Sequence, residues 1–198
     1  MILLVAVAAG IGVALLRGGR LCRLADLPLR LGWVAVASVV AQLFVIYSAA
    51  DRLEADRPIH AALLVGSYSL LAMVVWANRG TAGMSMIGVG LLLNLAVMVG
   101  NGGFMPISQE AVLTAGVRSA EELPANGARL PRSKDVVLPI EETRLWFLSD
   151  VIAAPGVPVA KVCSVGDLIT GLGAFVLLQA AMMSQRGETR KEAGAKAA

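Results

Sequence analysis

The chain has 198 residues, a formal net charge of +3, 57% hydrophobic residues and 16% charged ones, with a mean hydropathy of +0.74. A soluble domain carries roughly 25% charged residues, so composition excludes an ordinary soluble protein and assigns most of the chain to lipid. The single histidine, His60, and the two cysteines, Cys22 and Cys163, have no metal-like spacing, which argues against a zinc enzyme and against any cofactor. No basic patch is interleaved with aromatics, which argues against a nucleic-acid partner.

Residues 1–16 are uninterrupted apolar sequence, closed by Arg17-Gly-Gly-Arg20. Positive charge follows the run instead of preceding it, so it reads as an uncleaved first span and not as a signal peptide. Further spans are expected at about 31–50, 59–77, 82–99 and 165–183, each free of Lys, Arg and Glu. In hydrocarbon the backbone must satisfy its own polar groups, so these segments are expected to be α-helices. The expected fold is therefore an all-α integral membrane protein with about five transmembrane helices. Residues 1–183 form one domain, and a polar tail at 184–198 is expected to be disordered.

The segment 101–164, between the fourth and fifth spans, holds Pro106, Pro124, Pro131, Pro139, Pro155 and Pro158. A loop this long is usually functional or disordered. Ser108 reads as the N-cap of a short helix stopped by Gly116, and Ser119 to Glu122 reads as a capping box. The stretch 143–152 is apolar enough to lie at a membrane surface, with Trp146 at headgroup level. Asp150, Pro155 and Pro158 argue against its crossing. Lys and Arg in short loops set orientation. Arg17, Arg20, Arg23, Arg30 and Arg79 fall on one side with the C-terminal tail, while Arg52 and Arg57 on the other are balanced by acids. That bias puts the C-terminus in the cytoplasm and both the N-terminus and the long loop outside. Cys22 and Cys163 then lie on opposite sides.

Five residues emerge as candidates for a ligand site or a structural clasp at the outer helix ends. Asn101-Gly102-Gly103 ends the fourth span and fits a helix C-cap, or a backbone open to a ligand. Asp167 follows Ser164 at capping-box spacing, where its carboxylate also suits the helix dipole. Asp150 lies in a similar local pattern, and both aspartates are expected in one interfacial site with Asn101, the Gly102 and Gly103 amides and Arg144 as donors. Carboxylates there are costly unless paired or hydrated. Asn94, Gln42 and Gln179 read as helix–helix glue, as do the pairs Ala6/Gly10, Ala8/Gly12 and Ala37/Ala41. His60 reads as an interfacial polar residue.

The opening Met-Ile-Leu-Leu, the Gly-Gly arginine turn, Asn101-Gly-Gly-x-Met-Pro106, Leu148-x-Asp150 and Ser164-x-Gly-Asp167 together resemble the bacterial membrane proteins grouped as domain of unknown function 5317. The resemblance covers about residues 1–183. It implies a bacterial plasma-membrane protein and no particular activity. The sequence is read as a non-enzymatic membrane module, scaffold or accessory subunit, with the lipid bilayer and a membrane protein or second copy as partners. The alternatives are a small oligomeric transporter or channel, or a lipid-modifying enzyme using the outer aspartates.

Overall fold

The computed structural model describes residues 2–47, 56–154 and 161–184. It is mostly helical. The long helices follow the apolar runs: α1 (Ile2–Leu16), α2 (Gly32–Tyr47), α3 (Arg57–Ala77), α4 (Met84–Gly100) and, after the long loop, α6 (Val165–Met183). Among the described residues α3 and α6 are the two helices long and apolar enough to cross a bilayer by length and composition, and α1, α2 and α4 are shorter apolar helices. The expected span ends at 48–50, the tail from 185 on, and Pro155 and Pro158 lie outside the described residues.

The last helix is not at the edge. It packs between α1 and α4, while α3 packs on α4 and α2 on α3, giving the spatial order α1-α6-α4-α3-α2. Glycines make the α4–α6 contact possible. Gly83 faces Gly173 and Gly90 faces Gly166, so the helices run antiparallel with backbones nearly touching. A Cβ on Gly173 would meet the Ile87 amide nitrogen at 2.7 Å and the Gly83 carbonyl at 2.8 Å. Small residues are what allow such approach. Of the small-residue pairs read from the sequence, Ala6/Gly10 packs on α6, where a Gly10 Cβ would meet Leu178 at 2.9 Å. A Cβ on Gly12 would meet nothing, and Ala8 and Ala37 are exposed, so those pairs are not interfaces within this chain.

At one end of the helical layer the arginine-bearing turns gather. The Arg20 amide donates to Met182 O at 3.1 Å. Asn78 bridges to Arg30, accepting from its amide and donating to its carbonyl, both at 2.8 Å. Gln179 acts as glue here, donating to Gly10 O at 2.7 Å and accepting from Arg17 at 3.1 Å. Cys22 is exposed at this end, and Cys163 is buried at the start of α6, at the other; both are free thiols.

At that opposite end, the described part of 101–164 is a folded cap. Strand β1 (Met105–Ile107) pairs in parallel with β2 (Asp135–Val137), and β3 (Ile152–Ala153) pairs antiparallel with β4 (Val162–Cys163), which leads straight into α6. Ile107, Val112, Leu130 and Val137 form the cap's own core. Phe104, Met105 and Val136 join Val45, Leu64, Tyr68, Val97 and Met98 in a second core that fuses cap to helices. Ser108 caps helix α5 (Gln109–Thr114) as its spacing predicts, its hydroxyl accepting from the Ala111 amide at 3.1 Å.

Three expectations are corrected. Ser119 makes no side-chain cap, because the segment after it is a single 3-10 turn, Ala120–Glu122, whose carbonyl-to-amide bond at 3.2 Å serves instead. Residues 143–152 are not one surface segment. Leu145 adopts a left-handed φ of 56°, and the turn after it, Trp146–Leu148, leaves Trp146 and Phe147 outward while Ser149 and Asp150 go inward. His60 is buried and stacks on Phe44 with ring centroids 6.4 Å apart.

Candidate functional site

Asn101 closes α4. Its side-chain amide donates to Val97 O at 2.7 Å and to Arg144 O at 2.9 Å, and its carbonyl accepts from the Arg144 amide at 2.9 Å. Gly103, at φ +90°, turns its amide back to Met98 O at 2.7 Å, and a Cβ there would sit 2.5 Å from Ala61. Asn101, Gly102 and Gly103 therefore form a C-cap clasped to the backbone of residue 144. Contrary to the sequence reading, neither they nor Arg144 supply donors to the aspartates.

Asp167 and Asn94 form a second clasp. Ser164 caps α6 by accepting from the Asp167 amide at 3.0 Å. Asn94, 2% exposed, accepts from the Ser164 hydroxyl at 2.9 Å and donates to the Asp167 carboxylate at 2.7 Å. One buried amide thus locks the α6 N-terminus onto α4.

Asp150 stands differently. Its amide bonds Pro106 O at 3.0 Å, beside the bridge that pairs residue 150 with Ile107. The β1–β2 pairing sets Asp135 opposite Met105. The short sheet thereby brings Asp150 beside the neighbouring residues Lys134 and Asp135, from a separate stretch of the chain. Lys134 Nζ lies 3.8 Å from Asp150 Oδ2 and 3.8 Å from Asp135 Oδ1. Those separations are ion pairs but too long for hydrogen bonds. Lys134 Nζ, Asp150 Oδ1 and Asp135 Oδ1 are all buried with no hydrogen-bond partner. Asp135 is held through its other oxygen by the Ser133 hydroxyl.

Burial pushes the Asp150 carboxyl up to about 8; Asp135 and Asp167 push the same way, and Lys134 opposes them. Lys134 moves well above its usual range. Burial pulls it down, but Tyr68, Asp150 and Asp135 outweigh that pull. Within this pair burial favours the protonated Asp150 carboxyl, and the surrounding negative groups favour the charged Lys134.

The residues that carry these orphaned atoms line a cavity of about 400 Å³. Lys134, Asp135, Asp150 and Asp167 form its polar wall; Arg118, Arg132 and Lys161 bring further positive charge; Leu43, Ile46 and Tyr47 from the last turn of α2 line its apolar side. Asp150 and Asp167, paired by the sequence reading, do share this one space. Lys134 and Asp135 were missed because a Ser-Lys-Asp turn in a polar loop looks solvated. Only their sequence beside the Val136-Val137 pair hinted at a buried strand edge.

The chain belongs to the family of unknown function DUF5317, whose model matches residues 26–179. No curated protein and no solved structure matches it.

Proposed function

We propose that this member of the family is a five-span, non-enzymatic binding module of the bacterial plasma membrane, with its cap outside, its tail in the cytoplasm, and a polar ligand in the cavity beneath the cap. The bilayer reading is supported by the belt of large apolar side chains left outward, including Leu4, Trp33, Phe44, Leu92 and Val99, more than a monomeric soluble surface carries. The arginine-bearing turns share one end, as a cytoplasmic face requires. At about 1.5 Å per residue, the 15-residue α1 reaches only some 22 Å, so the bilayer would thin around it.

The binding reading rests on one observation: Asp150, 4% exposed and with one carboxylate oxygen that has no hydrogen-bond partner, lines a cavity large enough for a ligand. Buried polar groups are nearly always satisfied, so an orphan of this kind calls for a partner from outside the chain. The test is native mass spectrometry of protein released gently from membranes. Wild type should carry a small-molecule adduct, and Val162→Trp, which fills the cavity, should lose it while still unfolding cooperatively. Wild type free of any adduct would overturn the binding module.

A further inference from the structure

The cavity combines three features that a single ligand could answer. Its lining includes Asp150 and Asp135, each with a carboxylate oxygen that has no hydrogen-bond partner. Arg118 and Arg132 border it with no hydrogen bond or ion pair among the described residues. Arg132 moreover holds a left-handed φ of 57°, a strained backbone for a side chain that pairs with nothing among the described residues. The third feature is apolar. Leu43 and Tyr47, 46% and 71% exposed, line the cavity and also face outward on α2, the edge helix of the layer. The space is thus continuous with the surface that the proposed bilayer would wet.

We infer that the cavity holds the headgroup of an outer-leaflet aminophospholipid, with its primary ammonium on Asp150 and Asp135, its phosphate on Arg118 and Arg132, and its acyl chains along Leu43 and Tyr47. The inference rests on the binding module proposed above and names its ligand. A guanidinium matches a phosphate in charge and in donor geometry. An ammonium has three donors and no acceptor, which suits two orphaned carboxylate oxygens. Lys134 already lies between these carboxylates, and the ligand ammonium adds the second positive charge that Asp135, Asp150 and Asp167 together can balance. The ligand ammonium favours the ionised Asp150, whose proton passes to solvent as the ion pair forms. A purely anionic lipid would leave the carboxylate acceptors orphaned. A trimethylated headgroup has no N–H to offer them.

The full chain, delipidated in detergent, is offered phosphatidylethanolamine, phosphatidylcholine, phosphatidylglycerol and free phosphoethanolamine, and retention is read by native mass spectrometry. Phosphatidylethanolamine should be retained about tenfold better than either other lipid, the scale of one charge-assisted hydrogen bond. Asp150→Asn should bring the ethanolamine-to-choline ratio to about one. Arg118→Gln with Arg132→Asn, chosen because asparagine tolerates the left-handed backbone, should lower retention of all three phospholipids. Equal retention of the three lipids overturns the inference. So does free phosphoethanolamine binding as well as the lipid, or unchanged retention in the arginine variant, which keeps the test alive if Asp150→Asn misfolds. An adduct from native membranes that is not an aminophospholipid would sink this inference and leave the binding module standing.

Discussion

Two polar clusters sit at the same end of the helical layer, and they solve the same problem in opposite ways. Around Asn94, Ser164 and Asp167 the buried side-chain atoms have partners at 2.7–3.0 Å. Around Lys134, Asp135 and Asp150 the nearest charges stand 3.8 Å apart and three buried atoms are orphans. The first cluster is a clasp, because satisfied buried polar groups fix one geometry and leave nothing to recruit. The second stores unmet hydrogen-bonding capacity. Polar residues of similar type are therefore structural or ligand-seeking according to whether their neighbours reach them.

The sharpest way to break this contrast is pH. Asp150 titrates near 8 folded against an ordinary 3.8, so the folded state holds its proton more tightly. Its contribution to stability is full below about pH 4 and is lost as pH rises towards 8, with a slope of up to about 1.4 kcal/mol per unit. Asp150→Asn should unfold thermally like wild type at about pH 3.5 and be the more stable of the two at pH 9. A variant less stable than wild type at both values would make Asp150 a clasp residue after all. Next in size is Asn94→Ala, which strands both the Ser164 hydroxyl and the Asp167 carboxylate. At about 1–3 kcal/mol for each orphan, it should cost roughly 2–5 kcal/mol at every pH, read by thermal or denaturant unfolding. Loss of less than 1 kcal/mol would remove the clasp. Asn101→Ala gives up three hydrogen bonds to backbone at a partly exposed site and should cost about 1–3 kcal/mol, again without pH dependence. The smallest effect is chemical. An impermeant maleimide on intact cells should leave Cys22 untouched and label Cys163 only slowly, since that thiol is 2% exposed and burial pushes it up. Rapid labelling of Cys22 alone would invert the orientation and with it the side from which a ligand enters.

The sequence foresaw much of the clasp and little of the cavity, for reasons that differ residue by residue. Ser164 and Asp167 are three apart, and a cap is a local bond whose geometry follows from that spacing. Asn101-Gly-Gly is likewise a local stop signal. Asn94 reads as glue, because its two partners lie seventy and seventy-three residues away. Lys134 and Asp135 gave little sign beyond the adjoining Val136-Val137 pair, since an acid beside a base in a loop is ordinarily solvated. Their burial depends on β1 and β2 pairing in parallel across the cap.

What the chain determines by itself is where its helices lie and where they stop: apolar runs, Gly-Gly turns, Ser108 and Ser164 as caps, Arg-bearing turns at one end. These are short-range matters of hydrophobicity and backbone conformation. Tertiary structure alone decided that α6 slides between α1 and α4, through glycines at 83, 90, 166 and 173 that admit no Cβ between the backbones. It also decided that a few strand residues would carry Lys134 and Asp135 to Asp150. Burial and pairing across the fold depend on contacts between residues distant in sequence, and no local spacing encodes them.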